Sequence, residues 1–417
     1  MGRAVLPPAL LLLSLVGCVT GALAQSILAP SSADLEKTPG AQLLASLVPE
    51  VISPLFAPSE FHPHLLYQFI YGDGIPASPG NHLKTVIQQI SPGLLLTFGN
   101  HWSLDYTPTF FLYSNKQFQD STAESATLSW RTTYQDWGFS FSQNYSSSSA
   151  PQAETQAPTD QENYGTAFSA SRQLGSQLSA QLGVNQNIES TAVAAFNQDV
   201  RAWTVNAGLN DQFWARFGAG LNASAGYDLI TPGANMTYEQ AQGTMNWRVE
   251  DKMSMTVSAG LGVTQLLGAE LIDPIFAGTI AYRPWAQTSV SLNASRSVSP
   301  SFYVNDIVVS TTISASWQQR FLKYFSFSLN GGYSTTPYIG FATVQEFNYH
   351  QIGAPAPTAT VQENRADYSR FIMASLGSTF RKRGTVSIFY SYSDYSSGLA
   401  AYNLTSTQVG FEIAWRY

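Results

Sequence analysis

The chain has 417 residues, of which 11% are charged and 13% aromatic, and its net charge is −7. That charge content is less than half the ~25% of ordinary soluble domains, yet a helical membrane protein would be far more apolar. The acidic balance without a basic block argues against a nucleic-acid partner. The single cysteine, Cys18, excludes disulfides within the chain and any Cys-based metal centre.

Arg3 precedes an apolar core from Ala4 to Val19, and Ala22-Leu23-Ala24 offers small residues at the spacing a signal peptidase reads. This predicts an exported chain with residues 1–24 as signal peptide and a mature start at Gln25. A second reading takes Leu15-Val16-Gly17-Cys18 as a lipobox, with Cys18 lipidated. Residues 25–64 differ in pattern from residues 65–417. Asp34–Ser53 reads as a short helix around Leu43, Leu44, Leu47 and Val48, serving as a periplasmic lead-in or as a plug. After the leader no apolar run approaches the ~20 residues of a transmembrane helix. A membrane form must therefore be a closed barrel, because only helices and barrels satisfy the backbone in lipid.

From about residue 65 onward, alternation with a period of two dominates. Phe217, Ala219, Leu221, Ala223, Ala225 and Tyr227 face away from Gly218, Gly220, Asn222, Ser224 and Gly226. Met253, Met255, Val257, Ala259, Leu261 and Val263 repeat the pattern. Short turns are expected near Gly99-Asn100, Gln135-Asp136, Gly175, Asn210–Trp214, Glu250–Lys252, Arg283–Ala286, Arg320–Tyr324 and Arg381–Gly384. Longer polar segments fall at Ser114–Glu124, Ser146–Glu162, Glu189–Asp199, Ser297–Asp306 and Thr335–Arg365. Beginning with Leu65–Tyr71 and ending with Asn403–Tyr417, the count is about eighteen strands, with sixteen as the alternative. The fold class is therefore all-β, a transmembrane antiparallel up-and-down barrel over residues 65–417 with a short helical or irregular segment before it.

Eight of the nine tryptophans lie near a short turn or the C-terminus: Trp102, Trp130, Trp137, Trp214, Trp247, Trp285, Trp317 and Trp415. Indole favours the headgroup region, so they read as the aromatic girdle of the periplasmic side. Arg and Lys crowd the same end, while Asp and Glu decorate the long loops. In the last strand Val409, Phe411, Ile413, Trp415 and Tyr417 share one face.

On these features the chain resembles bacterial outer-membrane β-barrels of the porin-like type, and more loosely the barrels associated with exopolysaccharide export. The resemblance implies residence in the outer membrane of a Gram-negative bacterium, in contact with its lipid, after export through the secretory pathway. It also implies that the final aromatic strand is read by the barrel-assembly machinery. Tyr417 stands where Phe is commoner.

Catalysis finds little support. Of the histidines His62, His64, His82, His101 and His350, none sits mid-strand opposite a plausible serine. His62-Pro63-His64 lacks a third metal ligand. No catalytic, cofactor or metal site is expected. Inward positions are mostly Ser, Thr, Asn, Gln and Gly with an occasional Arg131 or Asp105, as in a water-filled passage. The segment Thr335–Arg365, with Tyr338, Phe341, Phe347 and Tyr349, is the candidate constriction loop; a flexible exterior loop is the alternative. The leading expectation is passive passage of small polar solutes. The other is a closed barrel that docks a periplasmic protein through its basic rim, including Arg381-Lys382-Arg383.

Overall fold

The computed structural model describes residues 59–78, 80–152, 157–193, 196–301, 306–322, 324–343, 359–380 and 383–416. In chain order the strands are β1 (Ser59–Ser78), β2 (Asn81–Phe98), β3 (Trp102–Tyr113), β4 (Ser121–Tyr134), β5 (Trp137–Ser148), β6 (Pro151–Gln152), β7 (Ala157–Pro158), β8 (Asp160–Gln173), β9 (Leu178–Val193) and β10 (Phe196–Trp214). They continue as β11 (Phe217–Thr231), β12 (Met236–Glu250), β13 (Met253–Leu266), β14 (Ala269–Trp285), β15 (Thr288–Pro300), β16 (Asp306–Phe321), β17 (Phe325–Thr343), β18 (Ala359–Phe380), β19 (Gly384–Ser397) and β20 (Leu404–Arg416). Eighteen form one sheet, and β6 and β7 form a small ladder of their own. Every pairing is antiparallel; successive strands of the sheet pair in chain order, β5 with β8 across the small β6–β7 ladder, and β1 pairs with both β2 and β20, which closes the barrel. The alternative of sixteen strands is thereby set aside. No helix among the described residues is long and apolar enough to cross a membrane, and the expected helix at Asp34–Ser53 lies outside them.

Residues opposite one another on a ladder share a face. Leu65, Tyr67, Phe69 and Tyr71 of β1 stand opposite Trp415, Ile413, Phe411 and Val409 of β20, and this apolar face is the outer one. Gln68, between them, stands opposite Glu412 and points inward. Leu221, Leu261 and Ile388 are all more than half exposed on the outer face, as side chains facing lipid are when no lipid is present. Aromatic neighbours add to that wall: Trp102 and Trp130 lie 5.9 Å apart, and Tyr145 and Tyr164 lie 4.9 Å apart. Strands of 12 to 22 residues exceed the ~9–11 that cross the hydrocarbon. They therefore project beyond it on the long-loop side.

The seam between β1 and β20 leaves no room at Gly410, where a Cβ would lie 2.3 Å from Phe69 O. Because the obstacle is backbone, the strands must separate to admit a side chain, a cost of about 1–3 kcal/mol or more. Gly410→Val is expected to lower the fraction of heat-modifiable, closed barrel on a semi-native gel. An unchanged fraction would contradict this packing.

Several expected boundaries are corrected. The first strand begins at Ser59 rather than Leu65, so His62-Pro63-His64 lies within β1. The polar stretch Glu189–Asp199 is not a long loop; β9 and β10 pair as far as Val193 opposite Phe196. Thr335–Arg365 likewise contains the ends of β17 and β18, paired as far as Thr343 opposite Ala359. In each case polar residues continue a strand above the lipid, where backbone pairing is still favourable and no apolar face is required. The turns expected at Asn210–Trp214 and Arg283–Ala286 fall after Trp214 and Trp285.

Candidate functional site

The inner wall is lined by small polar side chains that bond to each other across strands. Ser140 and Ser169, Ser328 and Ser375, and Ser334 and Ser369 each lie 2.7 Å apart, and Ser291 and Ser316 lie 2.6 Å apart. Near the seam, Gln68 Nε2 donates to Glu412 at 2.6 Å and Thr109 Oγ1 donates to Ser91 Oγ at 2.9 Å. Alternation that is apolar outside is thus matched by hydroxyls inside, where water or a partner can satisfy them.

The interior narrows at the long-loop end through a structure the sequence did not reveal. The β14–β15 ladder stops at Phe276 opposite Arg296. The next positions would set Pro274 against Val298, and proline cannot donate to a ladder. Beyond this split β15 stays paired with β16 up to Pro300 opposite Ile307, and β16 stays paired with β17. The upper ends of β15–β17 therefore leave the wall together. By alternation Arg296, Val298, Ile307 and Ile339 belong to the outer face of these strands, whereas Ile230, Met236, Leu266 and Ala269 belong to the inner face of β11–β14. Val298, Ile307 and Ile339 pack with the second set in one apolar cluster, with Ile307 fully buried in it. An outer face can meet an inner face only if β15–β17 lie inside the barrel, behind β11–β14. Consistent with this, β14 touches β18, although three strands separate them in the ladder.

Two arginines, Arg296 partly buried and Arg365 buried, fasten the tucked tip at its two edges. On the β14 side, Arg296 donates from Nη2 to Asp273 Oδ1 and from Nη1 to Thr311 Oγ1, both at 2.8 Å. On the other side, Arg365 of β18 faces Tyr338 of β17 and forks onto Asp367, from Nε to Oδ1 at 2.8 Å and from Nη2 to Oδ2 at 2.6 Å. Its guanidinium lies between the rings of Tyr402 and Tyr338, 4.0 and 4.9 Å from their centroids. Tyr395 OH donates to Asp367, and Ser397 Oγ accepts from Arg365 at 3.1 Å. A second element also reaches over the mouth. The β6–β7 ladder, in the connection between β5 and β8, contacts β1 although β2, β3 and β4 lie between.

This constriction differs from the expected loop. Tyr338 is in β17, buried against Arg365, rather than on a loop. Phe341 lies on the same strand, while Phe347 and Tyr349 fall outside the described residues. Among the tryptophans, Trp102, Trp130, Trp137, Trp247, Trp317 and Trp415 lie on outward strand positions at the short-turn end. Trp214 and Trp285 sit at turn tips, each 70% exposed. Phe411 of β20 stacks on Phe69 at 5.5 Å in the seam. Ala22, Ala24, Gln25, Cys18 and Tyr417 lie outside the described residues.

Among the described residues the histidines do not assemble a reactive group, and His350 lies outside them. His62 meets Glu60 at 3.3 Å, and His101 meets the carbonyl of Arg131 at 2.8 Å. His64 Nε2 lies 3.0 Å from Thr107 Oγ1, but that hydroxyl donates to Asp105. The carboxylate therefore orients the hydroxyl and not the imidazole, the reverse of what an activated nucleophile needs. Among the described residues no three His, Cys, Asp or Glu side chains converge as metal ligands.

No family model and no curated protein matches the chain. Solved structures do. The outer membrane protein OpdK of Pseudomonas aeruginosa matches at 12% identity and a TM-score of 0.45, over 86% of this chain and 99% of that one. OccK9 (OpdG) of the same organism matches at 9% and 0.46, over 87% and 99%. OccAB3 of Acinetobacter baumannii matches at 8% and 0.45, over 87% and 100%. The strand ladders, not these likenesses, establish the barrel. Nothing in these matches supports the narrower expectation of an exopolysaccharide-associated barrel.

Proposed function

We propose that this chain is a pore of a Gram-negative outer membrane through which small polar solutes pass without covalent chemistry. The tucked β15–β17 tip carries this reading. Eighteen strands enclose more space than side chains fill, so an element that narrows the interior without closing the ladder sets the size of what passes. An apolar outer face and hydroxyl-lined inner wall support lipid outside and water inside. Export through a leader ending at Ala24 and recognition of β20 by the assembly machinery belong to the same reading. Liposome swelling tests it: vesicles bearing the purified barrel are expected to swell in arabinose and much more slowly in a large oligosaccharide. Equal rates in the two sugars would contradict a size-setting constriction, and no swelling from folded barrel would contradict the pore.

A further inference from the structure

One hydrogen bond repeats around the short-turn rim. At eight strand ends a backbone N–H donates to a carbonyl of the neighbouring short turn. The donors are Arg131, Gln173, Gln212, Arg248, Arg283, Arg320, Thr379 and Arg416. These positions are structurally equivalent, and five of the eight hold arginine. At four of those five the preceding residue is a large aromatic, namely Trp130, Trp247, Tyr282 and Trp415. Alternation turns the aromatic outward to the lipid headgroups and the arginine inward to the mouth of the barrel. The ladders agree, since Arg131, Arg248, Arg320 and Arg416 stand opposite Ser140, Ser254, Ser326 and His64.

All five arginines are exposed, and none has an ion-pair partner among the described residues. Arg216, Arg296, Arg365 and Arg370, by contrast, each pair with an aspartate. Arg248, Arg283 and Arg320 form an arc on β12, β14 and β16. Strands lie ~4.8 Å apart, so arginines on alternate strands are spaced by about 10 Å. One carboxylate or phosphate occupies a single guanidinium fork and cannot span such an arc, whereas an extended polypeptide advances ~3.3 Å per residue and can. Apolar tips flank the arc: Trp214 and Trp285 are each 70% exposed and Leu322 is 78% exposed. A sugar face could stack on the tryptophans but has no ring to meet at the aliphatic Leu322, so cations interleaved with these tips suit a polypeptide better than a polyanionic glycan. Facing the mouth, the arginines are also turned away from lipid phosphates.

We propose that the arc Arg248–Arg283–Arg320 docks an acidic polypeptide segment, with its carboxylates on the arginines and its apolar residues on Trp285 and Leu322. The pore reading places this side in the periplasm; the docking chemistry does not depend on it. The test is fluorescence anisotropy of a fluorescein-labelled oligomer of Glu-Glu-Leu repeats with the purified full-length barrel in zwitterionic detergent. Arg248→Gln/Arg283→Gln/Arg320→Gln is expected to bind about tenfold more weakly, while keeping heat-modifiable migration. The outward-facing control Arg370→Gln is expected to bind as the parent does. A Glu-Glu-Ser oligomer is expected to bind more weakly than the Leu form. Equal binding by the triple variant, or an equal loss in the control, would overturn the assignment of the arc. Equal binding of the Ser and Leu oligomers, or equal binding of dextran sulfate, would overturn the polypeptide.

Discussion

Ile307→Asp is expected to widen the pore, raising single-channel conductance several-fold while leaving the barrel closed. Ile307 is fully buried in the cluster that joins the tucked tip to Ile230, Met236, Leu266 and Ala269. A carboxylate placed there has no partner, and burying it unpaired costs several kcal/mol, more than the apolar contacts return (~1.5–3 kcal/mol for a fully buried Ile). The tip can leave as a unit because β15 and β16 remain paired up to Pro300 and Ile307. Beyond Phe276 and Arg296 no backbone ladder ties it to β14, and the Arg296–Asp273 ion pair is the polar side-chain link that must open with it. The lower ladders are untouched, so closure and heat-modifiable migration should persist. A folded variant with parental conductance would show that the tip does not limit the passage.

Asp367→Ala is expected to be the most destabilising single change at the long-loop end. Arg365 is 7% exposed and Asp367 1% exposed, so removing the carboxylate strands a cation in the interior. Breaking one partner of such a pair costs about 3–5 kcal/mol, whereas replacing both by apolar residues of similar volume is often neutral. Urea titration of the detergent-solubilised barrel should therefore show a large drop in midpoint for Asp367→Ala. Most of it should be recovered in Arg365→Met/Asp367→Leu. If single and double variants fall equally, the loss comes from packing around Tyr338 and Tyr402 and not from the stranded charge.

How far the sequence revealed this molecule depends on which physical signal marked each part. Alternation was strong wherever one face meets lipid, so β11 and β13 were legible residue by residue. It was silent where strands rise above the lipid, and for that reason Glu189–Asp199 and Thr335–Arg365 read as loops although they pair. The tuck was hidden for a different reason. Val298, Ile307 and Val309 have the same alternation whether their apolar face meets lipid or the inside of β11–β14. Two residues did signal it. Arg296 sits at an outward position, where a charge facing the bilayer midplane costs ~2–4 kcal/mol, and Pro274 stands in β14 where a ladder donor is needed. The structure adds a mark of its own at Leu267. An apolar residue with φ of 54° in the β13–β14 turn is unfavourable in isolation, and it packs on the same buried cluster. The arginine positions at the rim were visible as charge near turns, but their equivalence appears only in the shared backbone hydrogen bond.

An open but narrowed passage conducts ions, and single-channel recording of the purified, refolded full-length protein in a planar lipid bilayer reads that conduction. Discrete, reproducible conductance steps are expected, smaller than those of the Ile307→Asp barrel under the same salt. Persistent silence from protein that migrates as folded, heat-modifiable barrel would contradict the account and leave a closed structural barrel in its place.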